Sequence, residues 1–250
     1  MRPRNKKNLE KRMESCKEIL VENPCELKGR WAEGYKSLRV EVGCGKGGFI
    51  LGMAEKNPDV LFVGIEVVRN VICTAAEKIT ESGLTNVRLI NKDARYMFEY
   101  FEDGEIEKIY LNFSDPWPRT KEEKNRLTSD TFLPLYTKVL VERGEIVQKT
   151  DNRPLFDFSV ESYNNFGAEI KKLSYDLHSE AWYGELGNVV TEYEHRFTEK
   201  GVPICYADVI LPPKASVEQK INDSIKAILY QRECEEKGLA RLRQKKEEQK

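Results

Sequence analysis

Histidine is scarce in this chain. His178 and His195 are the only two among 250 residues, which leaves little material for a metal site, and none is expected. Long apolar runs are missing too: nothing approaches the roughly 18 residues a membrane helix needs. A charged fraction of 33% and a mean hydropathy of -0.61 fit a soluble protein with no membrane partner. The amino terminus is polar from its first residues and offers no signal-peptide apolar region, so a cytoplasmic location is expected. The six cysteines (Cys16, Cys25, Cys44, Cys73, Cys205, Cys234) contain no C-x-x-C pair. They read as reduced thiols, not as staples or zinc ligands. There is no internal repeat, and no dominant sign of charge. The net charge of -1 is nevertheless uneven, with residues 1–30 carrying nine Lys/Arg against five Glu and residues 214–250 ten against seven Asp/Glu. An acidic middle between basic ends does not resemble a generic DNA binder but allows an anionic polymer to be held at the ends.

What is present is an alternation of short apolar runs and amphipathic stretches. Leu38–Val42, Val60–Ile65, Asn86–Ile90, Ile106–Leu111 and Gly144–Thr150 read as strands. Phe49–Lys56, Val67–Ser82, Thr128–Leu140 and Pro154–Asn165 read as helices between or after them. That order predicts an α/β fold of parallel strands with right-handed crossovers. Glu169–Leu177 and Pro203–Leu211 supply last strands. From Lys214 a charged helix with a weak apolar stripe (Val217, Ile221, Ile225, Ile228) is expected to be solvated or to bind a partner. The later part of the basic segment Arg2, Arg4, Lys6, Lys7, Lys11, Arg12 and Lys17 is expected to be helical. The chain thus divides into a basic arm (1–30), a central domain (31–213) and a charged helical extension (214–250).

The fourth strand runs into Leu111-Asn112-Phe113-Ser114-Asp115-Pro116-Trp117-Pro118. Two prolines end the sheet ladder there, and a stiff loop presents a carboxylate, a carboxamide and an indole at the strand's carboxyl end. Ligands bind at that edge in open α/β sheets. After the first strand stands Gly43-Cys44-Gly45-Lys46-Gly47-Gly48, a formal G-x-G-x-x-G. Glu41 just before it would repel a pyrophosphate, which argues against a dinucleotide. S-adenosylmethionine has no phosphate and carries a sulfonium and an ammonium, so a carboxylate suits it. Glu66, Asp93 and Asp115 follow the next three strands, placing four carboxylates in register along one edge. Glu66 can accept ribose hydroxyls, and Asp93 an adenine amino group.

Glu41-x-Gly43-x-Gly45-Lys46-Gly47, Gly64-Ile65-Glu66, the octapeptide 111–118, Lys149-Thr150-Asp151 and Thr191-Glu192-Tyr193-Glu194 together resemble the bacterial tRNA (guanine-N7)-methyltransferase family, over roughly residues 38 to 211. The resemblance implies a Rossmann-like class I methyltransferase fold, a mostly parallel seven-stranded sheet with helices on both faces. It implies S-adenosyl-L-methionine as cofactor and methyl transfer to N7 of the variable-loop guanine, position 46, of tRNA. It further implies cofactor contacts from Glu41, Gly43, Gly45, Glu66, Asp93 and Asp115, with Asp115 also catalytic. Arg119, Asp151, Thr191, Glu192, Tyr193 and Glu194 would contact the substrate; the family usually has lysine where Arg119 stands. Lys121, Lys124 and Arg126 follow the loop and are expected to touch phosphates. Trp117 is expected either to stack on the base or to fill the core. The chain is expected as a monomer or homodimer. Rivals are an N6-adenine methyltransferase, opposed by Ser-Asp-Pro-Trp in place of a Pro-Pro-aromatic loop, an NAD-dependent dehydrogenase, opposed by Glu41, and a non-catalytic RNA-binding subunit, which would gain nothing from four carboxylates.

Overall fold

A computed structural model describes residues 8–247, with side chains to residue 240. Arg2, Arg4, Lys6 and Lys7 therefore lie outside the described residues. In chain order the elements are α1 (Leu9–Glu14), β1 (Ser37–Val42), α2 (Gly48–Lys56), β2 (Val60–Ile65), α3 (Arg69–Ser82), β3 (Val87–Ile90), α4 (Met97–Tyr100), β4 (Ile106–Asn112), α5 (Leu133–Val139), β5 (Leu140–Thr150), α6 (Arg153–Phe166), β6 (Glu169–Ser174), α7 (Glu192–Thr198), β7 (Cys205–Ile210) and α8 (Lys214–Glu247).

The seven strands form one sheet in the order β3-β2-β1-β4-β5-β7-β6. The first five are parallel, while β7 runs antiparallel to both β5 and β6. Every residue of β2 is buried, as its unbroken apolar run requires of a strand covered on both faces. One face packs on α2 and α3 through Phe49, Ile50, Ile72 and Ile79. The other packs on α4, α5 and α6 through Met97, Leu133, Tyr136 and Phe156. Strand order reverses between β1 and β4, so the loops leaving these two strands open a crevice at the sheet's carboxyl edge.

Several boundaries differ from the sequence expectation for local reasons. Helix α5 starts at Leu133 rather than Thr128. The Thr128 hydroxyl bonds Ser159 Oγ at 2.8 Å, and Ser129 Oγ donates to the Lys124 carbonyl at 3.0 Å, which holds that stretch as turns. Pro134 then suits the helix's first turn. Helix α3 starts at Arg69, because Glu66 Oε1 accepts the Val68 N–H (2.9 Å) and fixes a turn there.

The largest correction concerns α8. Val217, Ile221 and Ile228 are buried in the same apolar cluster as α5, so the first half of this helix belongs to the core rather than to solvent. The N-terminal segment is also tied down from Cys16 onward. Cys16, Ile19 and Leu20 are buried, Leu20 bridges to Leu89 of β3, and the Trp31 indole donates to the Tyr100 carbonyl (2.9 Å). Arg12 is spent on an ion pair with Glu77, leaving Lys11 and Lys17 as the exposed basic residues of α1 and its flank.

Candidate active site

The glycine loop turns back over the ends of β1 and β2. Gly43 (φ 76°) and Gly45 (φ 57°) adopt left-handed backbone that only glycine takes without strain, and a Cβ at either would meet nothing within 4 Å. The space beside them is open. Glu66 ends β2 with both oxygens fixed, Oε2 on the Gly45 N–H (3.2 Å) and Oε1 on the Val68 N–H. Asp93, after β3, accepts the Arg95 N–H and receives that residue's guanidinium on Oδ2.

These residues line a cavity of about 510 Å³ together with Phe113, Asp115 and Trp117. A second cavity of about 280 Å³ adjoins it, lined by Glu41, Asn112 and the Thr191–Tyr193 segment. Gly43, Gly45 and Phe113 border both.

Glu41 does not stand free at the edge. It is buried, and its Oε1 accepts the Asn112 amide at 2.9 Å across the β1–β4 pair. Glu41 Oε2 and Asn112 Oδ1 are buried and have no hydrogen-bond partner among the described residues. Burial pushes the Glu41 carboxyl up to about 8, against the pull of the Asn112 bond and of Lys149. Two buried oxygens without a partner cost free energy until a ligand arrives, and a cation, which favours the ionised form of Glu41, suits them best. These oxygens thus fit the ammonium of S-adenosylmethionine, as Glu66 and Asp93 fit its nucleoside.

The central loop is held under strain. Phe113 (φ 52°) and Trp117 (φ 42°) are non-glycine residues in left-handed backbone, a conformation that costs about 1–3 kcal/mol per residue and persists only where the surroundings enforce it. Arg126 is one enforcer. Its guanidinium donates to the Pro116 carbonyl (3.1 Å) and the Trp117 carbonyl (3.1 Å) and lies 4.3 Å over the Phe158 ring. Expected among the phosphate contacts, Arg126 is instead largely covered and committed to the loop. Lys121 and Lys124 are exposed, as a phosphate contact requires. Trp117 is 36% exposed on the cavity wall, so it does not fill the core. Asp115 is exposed and lines both the larger cavity and a shallow depression shared with Arg119. The Arg119 guanidinium is exposed, 3.4 Å from Glu122.

Across the smaller cavity, Thr191 caps α7 by accepting the Glu194 N–H (2.9 Å). Tyr193 packs between Phe113 and Phe197, with ring centroids 4.9 and 4.6 Å away. Desolvation and the neighbouring Asp151 carboxylate raise its phenol. Glu192 points outward to Lys78 (2.8 Å).

Glu194, expected at the substrate, is fully buried. Its Oε2 meets Lys149 Nζ at 2.6 Å, and its Oε1 meets His178 Nε2 at 2.9 Å. Lys149 also donates to Asn188 Oδ1 and the Val189 carbonyl. Burial lowers the Lys149 ammonium, and Glu194 opposes that shift. Sequence reasoning gave no role to Lys149, His178 or Asn188. A lysine inside the buried run Ile146-Val147-Gln148-Lys149-Thr150 was the available signal, since lysine is rarely buried unpaired. Among the described residues no group of three or more His, Cys, Asp or Glu is arranged to hold a metal ion, and no helix is long and apolar enough to cross a membrane.

A reversed parallel sheet with a glycine loop, an acidic residue ending β2 and a strained acidic loop after β4 defines a methyltransferase of the Rossmann-like class. Solved structures agree on the fold. The 16S rRNA methyltransferase KamB matches with a TM-score of 0.55 at 14% identity, covering 74% of this chain and 92% of its own. The antibiotic-resistance methyltransferase Kmr matches at 0.51 and 14%, covering 75% and 93%.

The family model Methyltransf_4, described as "Putative methyltransferase", matches residues 35–207. A tRNA (guanine-N(7)-)-methyltransferase of Bacillus velezensis is 47% identical over 77% of this chain and 88% of its own length. Those of Streptococcus uberis (45%, covering 80% and 95%) and Lactococcus lactis (44%, covering 86% and 100%) are equally similar. The chain belongs to the tRNA (guanine-N(7)-)-methyltransferase family.

Proposed function

We propose that this protein transfers the methyl group of S-adenosyl-L-methionine to N7 of guanine 46 in the variable loop of tRNA, in the cytoplasm. The observation that carries the cofactor half is the pair of orphaned buried oxygens on Glu41 and Asn112 beside the glycine loop. The substrate half rests on relatives of this name at 44–47% identity.

Bound S-adenosylmethionine would supply an electrophilic methyl group. Glu41 and Asn112 would hold its ammonium, Glu66 its ribose and Asp93 its adenine. Guanine N7 has an in-plane lone pair and no proton to lose, so no general base is needed. The chain's work is alignment and electrostatics. As N7 is alkylated, positive charge develops on the purine. Asp115, at the cavity mouth, stabilises that charge and can accept from the base's N1–H and amino group. Trp117 offers a face on which a splayed base stacks, and Tyr193, 42% exposed but held between Phe113 and Phe197, offers its edge. Asp151 works through Tyr193 and Arg119 from the rim. Exposed Lys121 and Lys124 meet phosphates.

Incubation with unmodified tRNA and methyl-labelled cofactor, followed by nucleoside digestion, tests the proposal. Label is expected in 7-methylguanosine and is lost from a tRNA with adenine at position 46. Asp115→Asn is expected to lose about 10²–10³-fold in turnover while melting like the parent. Near-normal turnover would remove Asp115 from the reaction.

A further inference from the structure

Helix α8 lies outside residues 35–207, the stretch matched by the family model. Its course is fixed by three contacts. At its start, Lys214 Nζ lies 3.3 Å from where a Cβ on Gly104 would sit, in the turn before β4 and so at the sheet's amino edge. Halfway along, Ser224 Oγ reaches the Asp130 carbonyl. Further on, Arg232 pairs with Glu99 at 2.8 Å and covers Tyr96, beyond the carboxyl end of β3. Gln231 shares a depression with Arg95 and Lys124, and Arg95 also lines the main cavity. The helix therefore climbs from the inert edge of the sheet to the active edge, and residues 233–247 continue past it. At 1.5 Å per residue that run is about 22 Å long.

The overshoot changes character along its length. Residues 233–236 carry three Glu, whereas 237–246 carry Lys237, Arg241, Arg243, Lys245 and Lys246 with no Asp or Glu. Positions 237, 241 and 245 share a helix face. Among the described residues Lys237 pairs with exposed Glu233 at 3.7 Å, a pairing too solvated to hold it. Apolar residues beyond Gln231 are Cys234, Leu239, Ala240 and Leu242, which is far short of the seam a second copy of the helix would need. A rigidly rooted cationic arm on the substrate side of the crevice fits a polyanion.

We infer that the distal part of α8, residues 237–246, is an RNA-docking arm that grips the phosphate backbone of the tRNA. The inference rests on tRNA being the substrate.

The test uses the full-length chain with Lys237, Arg241, Arg243, Lys245 and Lys246 all changed to Gln, its helicity and melting compared with the parent. Affinity for unmodified tRNA is measured across a salt series, beside methylation kinetics and sedimentation. At about 0.1 M KCl the variant is expected to bind ~10–100-fold more weakly, and the slope of log affinity against log salt to flatten by about 2–4. The kinetic loss is expected in KM for tRNA, with cofactor affinity unchanged.

Equal affinity and equal slope in a parent that methylates tRNA would overturn the arm. So would a variant that loses self-association but keeps its tRNA affinity, since the partner would then be a second copy. A parent that binds tRNA but leaves guanine N7 unmethylated would defeat the proposed reaction. Weaker binding by the variant would still support the arm in that case.

Discussion

Buried in β1 with one oxygen on Asn112 and the other lacking a donor, Glu41 keeps its proton to about pH 8 instead of its ordinary 4.5. Between those values the folded chain holds a proton that the unfolded chain has released. Stability must then fall as pH rises through that window, by up to about 1.4 kcal/mol per pH unit. Glu41→Gln has nothing to titrate. Its melting temperature relative to the parent is expected to climb from pH 6 to pH 8, and parallel melting curves would show that burial does not hold the proton. A cationic ligand reverses the preference and expels the proton. Cofactor binding measured by calorimetry in buffers of different ionisation enthalpy is expected to release a fraction of a proton near pH 7 in the parent and none in the variant. A neighbouring contrast concerns cations. Lys121→Gln with Lys124→Gln is expected to reduce the salt dependence of tRNA binding by roughly 1–2 in slope. Arg126→Ala, by releasing the Pro116 and Trp117 carbonyls, is expected to lower turnover with that slope unchanged. Nothing in chain order separates these three residues. Whether a cation faces phosphate or its own backbone depends on Phe158 and the loop lying beneath Arg126, which no local pattern records.

At the scale of elements, the ion pair between β5 and α7 fastens one wall of the smaller cavity. Lys149 and Glu194 are both buried, and Glu194 also holds His178. Removing one partner strands the other, so Lys149→Met is expected to destabilise the chain by about 3–5 kcal/mol, read from denaturant unfolding. Lys149→Met with Glu194→Leu is expected to recover most of that, because an apolar pair of similar volume needs no compensation. Wild-type stability in the single variant would mean that α7 is held by Tyr193 and Phe197 alone. The strands around this site were legible because parallel strands covered on both faces are written as continuous apolar runs, as in Val60–Ile65. Glu66, Asp93 and Asp115 could be placed at the edge because each follows such a run, whereas Glu41 lies inside β1 and turns to Asn112. Glu194 was misplaced for the converse reason. The Thr191 cap and the helical spacing fix where α7 begins, but only the tertiary packing of β5 against 188–198 decides that its glutamate turns inward. Thr128 and Ser129 misled in the same way, their hydroxyls being claimed by Ser159 and Lys124 rather than by a helix.

For the whole molecule, the helix after Lys214 serves two purposes that its composition blends into one. Averaged over its length it is polar, and the stripe Val217, Ile221, Ile225, Ile228 looks too thin to matter. Its burial against α5 becomes visible only once the sheet has brought α4 and α5 together at the open flank. Burying three such side chains stabilises by roughly 1.5–3 kcal/mol each, a sum comparable with the net stability of a domain this size. A chain ending at Pro213 is therefore expected to aggregate or to melt well below the parent, with the apolar cluster that α8 shares with α5 losing its cover. A chain ending at Arg232 retains the apolar stripe, the Ser224 contact and the Glu99 pair, and is expected to melt within about 2 °C of the parent, since a change below ~0.5 kcal/mol shifts a domain of this size by no more than that. The same shortened chain is expected to lose tRNA affinity at low salt. Thermal melts of both truncations, read beside tRNA titrations, separate the stretch that closes the core from the stretch that reaches beyond it. Equal melting of the two truncations would return the first half of α8 to the solvent, and full tRNA affinity in the longer one would leave the overshooting half without a partner.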